Sequence, residues 1–317
     1  MKHVLSIDGG GIRGLIPALV LKELEALTGK PVCDLFDLIC GTSTGGILAL
    51  GLAKDDGSGR PQYTAAELVD IYHERGRDIF FRSLWKGVSS VGGFMDEKYP
   101  HEGVESVLEE YFGNEPLGAA LNNVMITSYD IQNREPLFFK SWKTSHHNIE
   151  MRHVARATSA APTYFEPALI PVCGSLKALV DGGIFINNPA VSVYAEALRL
   201  FPGEEIRVVS LGTGELVRPI AFEEAKDWGK AGWMLPALDC MFDGVSNAAD
   251  YQMKQLLGDN YVRLQTTLSD ASDDMDNVTR GNIRMLVEES RRLIEINRRA
   301  IDSLFPDLNI TDTSASL

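Results

Sequence analysis

The chain has 317 residues, 44% hydrophobic and 23% charged, an ordinary balance for a folded protein and a length within reach of one large α/β domain. Forty-four acidic side chains against thirty basic ones give a formal net charge of −14. Such a surface repels nucleic-acid phosphates, which excludes a general nucleic-acid binder, and it leaves any membrane contact to local apolar surface or a locally basic face.

In chain order, Val4 to Asp8 reads as a buried strand broken by Gly9, Gly10 and Gly11. Leu15 to Leu27 follows a helical period, Phe36 to Gly41 is a second buried strand, and Ile47 to Ala53 is helical. This alternation of strand, glycine turn and helix is the signature of an α/β sheet. Asp55 to Gln62 is a polar loop, Ala65 to Phe81 a helix, and Arg82 to Pro100 a long loop bearing Trp85, Phe94 and Met95. A helix is expected at Val104 to Tyr111, strands at Val124 to Asp130 and Leu137 to Lys140, and a helix at Met151 to Thr158 that stops before Pro162. Leu179 to Asp181 ends a strand, Ala190 to Leu200 is a helix and Ile206 to Leu211 a strand. Leu235 to Leu257 is a long helix preceded by Trp228 and Trp233, Tyr261 to Leu264 a last strand, and Ser269 to Asp276 an acidic loop. Ile283 to Leu304 is amphipathic, with Leu286, Val287, Leu293, Ile294 and Ile301 on one stripe.

Cys33, Cys40, Cys173 and Cys240 form no CxxC pair and sit among apolar neighbours, so reduced core thiols are expected. The first apolar stretch is too short for a signal-peptide core, and no run reaches the roughly 18 apolar residues of a membrane span. The expected location is the cytoplasm.

Three motifs carry chemistry. Gly41-Thr42-Ser43-Thr44-Gly45 is a G-x-S-x-G placed between a buried strand and a helix, the setting of a nucleophile elbow. Its alternative reading is a serine in a helix-capping turn. Asp8-Gly9-Gly10-Gly11-Ile12-Arg13-Gly14 presents consecutive backbone N–H groups at a helix start, which suits an oxyanion or a phosphate. The same glycines satisfy G-x-G-x-x-G, but the acids that a dinucleotide fold would need, Asp34 and Asp37, flank the beginning of the next strand and not its end. Asp181-Gly182-Gly183 places an acid at a strand end, where it either faces the elbow or is a plain turn aspartate.

In this order, with the blocks Ala155 to Phe165, Asn187-Asn188-Pro189 and Ser210 to Gly214, the motifs resemble the patatin-like phospholipase family over most of the first 215 residues. The resemblance implies a three-layer α/β/α fold with a mostly parallel central sheet, in one domain: a core at about 4–215, a helical part at about 216–306 and a frayed tail at 307–317. It also implies a Ser43–Asp181 dyad, an oxyanion hole at Gly9, Gly10, Gly11 and Arg13, motif glycines Gly14, Gly41, Gly45, Gly182 and Gly183, and neither metal nor cofactor. The implied substrate is membrane phospholipid at the inner face of the cell membrane. The pattern is most similar to bacterial members, some of which act in antiphage defence under a cyclic-nucleotide second messenger. A cyclic dinucleotide activator is therefore a candidate partner, with Arg82, Lys86, Arg134, Lys140 and Lys143 as candidate phosphate contacts, and a homo-oligomer stays open.

Alternatives remain at this stage. None of the six histidines follows Asp181, yet a triad could use Ser43, Asp130 and one of His146, His147 or His153; the first two lie in a polar run expected at the surface. Arg13 could brace the glycine loop, meet a lipid phosphate or pair with a carboxylate. Trp85, Phe94, Met95, Trp228, Trp233, Met234 and Leu235 suit a membrane interface, a lid or ordinary core. A nucleotide-binding oxidoreductase using Gly9 to Gly14, or a catalytically silent lipid-binding protein, would share much of this pattern.

Overall fold

The computed structural model describes residues 1–79, 101–215 and 219–305. The predicted loop at Arg82 to Pro100, with Trp85, Phe94 and Met95, and the predicted frayed tail therefore lie outside the described residues, as do Arg82 and Lys86.

The strands are β1 (Lys2–Ile7), β2 (Leu38–Gly41), β3 (Asn123–Asp130), β4 (Glu135–Lys140), β5 (Ala168–Val172), β6 (Ser175–Asp181), β7 (Ile206–Leu211) and β8 (Tyr261–Leu264). The helices are α1 (Leu15–Thr28), α2 (Val32–Leu35), α3 (Thr44–Ala53), α4 (Ala65–His73), α5 (Gly76–Ile79), α6 (His101–Phe112), α7 (Met151–Thr158), α8 (Ala190–Leu200), α9 (Phe222–Ala225), α10 (Lys230–Leu257), α11 (Arg280–Ile296) and α12 (Arg298–Asp302). All belong to one sheet and its flanking helices, with the strand order β5-β6-β3-β2-β1-β7-β8 and β4 laid along β3.

Side-chain alternation in the central strands builds the three layers. Leu5, Ile7, Ile39, Val124 and Ile126 belong to a core shared with α1, α3, α4 and α7. Their sequence neighbours Val4, Leu38, Cys40 and Met125, with Val208 of β7, point the other way, onto Ala190, Val193 and Ala197 of α8 and Met253 of α10. The five strands from β3 to β8 along that order pair parallel. Three strands joined by antiparallel pairing extend them: β4 and β6 against β3, and β5 against β6. The first half of β3 pairs with β2, its second half with β6 (Ser128 opposite Asp181), and β4 follows its other edge.

Several expectations are adjusted. The helix predicted to run from Ala65 to Phe81 is broken into α4 and α5 around Glu74 and Arg75. The second strand begins at Leu38, because Pro31 starts the short helix α2 ahead of it. β5, joined to β6 through a tight turn at Cys173 and Gly174, both at positive φ, is a strand beyond those expected. Among the cysteines, all free, only Cys40 is a core thiol; Cys33 is half-buried, while Cys173 and Cys240 are exposed. Trp233 lies inside the first turns of α10, exposed, with its ring edge-to-face against Trp228 at 5.1 Å. Among the described residues no helix is long and apolar enough to cross a membrane.

Candidate active site

β1 and β2 end side by side, Ile7 opposite Gly41, so the glycine loop and the elbow leave the sheet together. Ser43 is the second residue past β2 and caps α3, with φ 55° and ψ −123°. A non-glycine residue held there is strained, and the strain persists only where the surroundings fix it. Here they do. Ser43 N–H donates to Thr158 Oγ1 at 2.9 Å, and Thr42 Oγ1 donates to Ile186 O at 2.8 Å and accepts from Thr127 Oγ1 at 2.8 Å. A Cβ on Gly41 would strike the Gly45 backbone, and one on Gly45 would reach Asp8 O at 2.7 Å and collide with Ile7 O. The turn admits only glycine at both positions.

Asp181 arrives from the opposite direction. β6 runs antiparallel to β3 along the part of β3 that projects beyond β2, and it stops at Asp181. The carboxylate is buried, accepts Gly183 N–H at 2.7 Å and accepts the Ser43 hydroxyl. Burial pushes it up to about 7, while the hydrogen bonds from Ser43 and Gly183 pull it down. Gly182 rests on Thr127, and Gly183 faces Phe242 of α10.

The glycine loop is pinned from three sides. Gly9 N–H donates to Asn187 O at 3.1 Å, and Gly9 O accepts from Thr213 Oγ1 at 2.7 Å. Ile12 N–H donates to Met275 O at 2.9 Å. Gly14 packs on Thr44 and Tyr72. Gly9 thus supplies space instead of a donor, contrary to expectation: its N–H is already committed, and a Cβ there would lie 2.5 Å from Asn187 Oδ1 and 3.2 Å from Ser43 Cβ. The Gly10 and Gly11 N–H groups meet no acceptor among the described residues. Of the roles open to Arg13, the structure shows the brace and not a place in the oxyanion hole. Its guanidinium donates to Gly214 O at 3.2 Å and Gly10 O at 3.4 Å, bracing the loop from behind, and its charge acts on Asp243 of α10.

One functional residue has no motif to announce it. Arg263 of β8 grips the buried Asp8 with both nitrogens, at 2.6 and 3.0 Å, and donates to Ser210 Oγ at 2.8 Å. This bidentate pair fixes the residue that begins the glycine loop. The blocks at 155–165, 187–189 and 210–214 likewise gain a use, because Thr158, Asn187 and Thr213 are the struts just described.

The histidine alternative loses its geometry. Asp130 is engaged by Lys177 Nζ at 2.6 Å, by Gln132 and Asn133 N–H, and by Asn133 Nδ2. His146 is buried, not surface as expected; its Nδ1 accepts Lys140 N–H at 3.2 Å, and burial with Lys143 and Lys140 nearby lowers it to about 4. His153 faces Glu150 at 3.9 Å. Asp37, an acid of the dinucleotide reading, binds Lys2 Nζ and His3 N–H at the opening ends of β1 and β2, away from the glycine loop.

A strained serine between a parallel strand and a helix, hydrogen-bonded to a buried acid, defines a serine hydrolase built on an α/β/α sheet. The comparisons with known proteins agree. Residues 5–194 match the family model for patatin-like phospholipase. Patatin-like protein 2 of Arabidopsis thaliana is 33% identical, over 92% of this chain and 82% of its own. A cGAMP-activated phospholipase of Pseudomonas aeruginosa (strain BWHPSA011 / Pa011) is 33% identical, over 89% of this chain and 83% of its own. Among solved structures, human GIVD cytosolic phospholipase A2 shares the fold at 12% identity, with a TM-score of 0.50, covering 96% of this chain and 60% of its own. The chain belongs to the patatin-like phospholipase family and is a lipid acyl hydrolase, a carboxylic ester hydrolase with a catalytic serine.

Proposed function

We propose that the protein cleaves acyl esters of membrane glycerophospholipids with Ser43 as nucleophile and Asp181 as the single base. The observation that carries this reading is the buried Asp181 carboxylate, raised to about 7 and bonded to the Ser43 hydroxyl. A carboxylate at its ordinary value is too weak a base; one near neutrality is matched to the task. Ser43 Oγ attacks the ester carbonyl as Asp181 takes its proton. The Gly10 and Gly11 N–H groups, with the amino end of α3, hold the oxyanion. Collapse expels the alcohol, which receives the proton from Asp181 and leaves as lysophospholipid. Water, deprotonated by Asp181, then attacks the acyl-Ser43 ester, releasing fatty acid and returning the proton to Ser43. The work takes place at the inner face of the cell membrane.

A cyclic dinucleotide switch is the finer part of the proposal, supported by the name of the Pseudomonas relative. Lys140 and Lys143 share an open groove with Trp142 and Arg199, a cationic rim beside an indole that would suit a phosphate-bearing base. Lys140 is partly occupied by Glu196 at 2.6 Å. Fatty-acid release from mixed phospholipid vesicles, with and without cyclic dinucleotides, tests both parts. Ser43→Ala and Asp181→Asn are expected to lose activity, and a His146→Ala/His147→Ala/His153→Ala variant that still folds to keep it. Activity in Asp181→Asn equal to wild type overturns the dyad; full activity unchanged by any nucleotide overturns the switch.

A further inference from the structure

Helix α10 spans Lys230–Leu257 and has two opposite characters. One side closes on the active site and core: Phe242 lies against Gly183, Ser246 Oγ accepts Asn187 Nδ2 at 3.3 Å, and Ala249 and Met253 are buried. The other side is open. Trp233, Cys240, Met241, Gly244, Ala248 and Tyr251 recur at helical spacing, all exposed, Trp233 by 41%, Met241 by 55% and Tyr251 by 66%. The stripe they form holds no charge and runs roughly 27 Å at 1.5 Å per residue. In a chain with 23% charged residues and a net charge of −14, an exposed helix face of this length without charge is unusual. Beside the stripe lie the exposed Asp243 and the Lys254–Asp250 pair, whose charges neutralise each other at 2.7 Å. The short helix before it presents Phe222, 76% exposed, beside Glu223 and Glu224.

We infer that this outer face of α10, with Phe222, is the surface by which the enzyme rests on a lipid bilayer. The inference rests on the reading of the chain as a hydrolase of bilayer lipids. The occupant follows from three observations. The substrate is itself a lipid, and the same helix touches the Asp181–Gly183 turn with its inner side. Trp233 and Tyr251 stand near the two ends of the stripe, and such rings, apolar in body and polar at the tip, favour the boundary between headgroups and acyl chains. The stripe lacks Lys and Arg, and Glu223 and Glu224 lie alongside, so attachment depends on apolar insertion and favours zwitterionic over anionic lipid. A bilayer lying along α10 is separated from the catalytic acid's loop by the thickness of one helix, about 10 Å, so an acyl chain drawn out of it enters beside Phe242.

The test separates docking from chemistry. Binding is measured by co-sedimentation of Ser43→Ala protein with phosphatidylcholine vesicles, alone and with Met241→Glu/Tyr251→Glu added. Turnover of the otherwise wild-type protein and of the same double variant is measured on those vesicles and on a water-soluble short-chain ester. The expected result is vesicle binding that survives molar salt, a loss of about tenfold or more in vesicle binding and vesicle hydrolysis in the double variant, and soluble-ester hydrolysis within about twofold of wild type. Equal vesicle binding with and without the two glutamates overturns the inference, as does a parallel loss on both substrates. A dimer in light scattering that the two glutamates dissolve, with vesicle binding unchanged, also overturns it by giving the face to a second copy. Because binding is read in Ser43→Ala, failure of the proposed hydrolysis leaves this result legible.

Discussion

Replacing Asp181 by Asn removes the proposed base and also a buried charge, and the two effects have opposite signs. Asp181 stands at about 7 in the fold against an ordinary 3.8. At about 1.4 kcal/mol per tenfold change, that gap penalises the ionised folded state by roughly 4 kcal/mol relative to the unfolded chain. Below pH 4 both states hold the proton and the penalty is absent. As the pH rises, the unfolded chain releases its proton first, so stability falls; above about pH 7 both are ionised and the penalty is complete. Asparagine is neutral throughout and still accepts the Gly183 N–H, so Asp181→Asn stabilises the protein by roughly 2–4 kcal/mol at pH 8.5 and about half as much at pH 5.5. At roughly 2 °C per kcal/mol for a chain of this size, the melting temperature rises by about 4–8 °C at the higher pH. Thermal scans of both proteins at the two pH values provide the check, with hydrolysis lower by about a hundredfold or more in the variant. A variant less stable than wild type at pH 8.5, or a difference independent of pH, would refute the assignment of a raised, buried carboxyl to Asp181.

Two further substitutions probe the frame around the dyad. Gly9→Ala places a methyl group 2.5 Å from Asn187 Oδ1 and against Ser43 Cβ, so hydrolysis of a soluble ester is expected to collapse while the far-UV circular dichroism stays that of a folded protein; undiminished turnover would show that the loop has room. Arg263→Met strands the buried Asp8 and is expected to cost roughly 3–5 kcal/mol in urea unfolding, much of it recovered by adding Asp8→Leu; a double variant as unstable as the sum of the singles would deny the coupling.

The sequence by itself determined the order of strands and helices through β8 with few gaps, because buried strands carry apolar runs and the turns between them need glycine. It also singled out Ser43 and Asp181, since each sits beside glycines that backbone contact at a strand end demands. It could not tell which N–H groups of the glycine loop are free. That depends on Asn187 and Met275, whose carbonyls take the Gly9 and Ile12 N–H groups from roughly 180 and 260 residues away. It gave no sign of Arg263, an arginine in a short strand like any other until the fold sets it against Asp8. Nor could it show that Asp181 comes on an antiparallel strand, because the direction of a strand is set by its pairing partner and not by its own residues. The uncharged outer face of α10 is visible as spacing, but whether it packs inward or meets solvent is decided by the opposite face, where Phe242, Ala249 and Met253 are the side chains that find the core. A helix has one azimuth, and only the neighbours it packs against fix it.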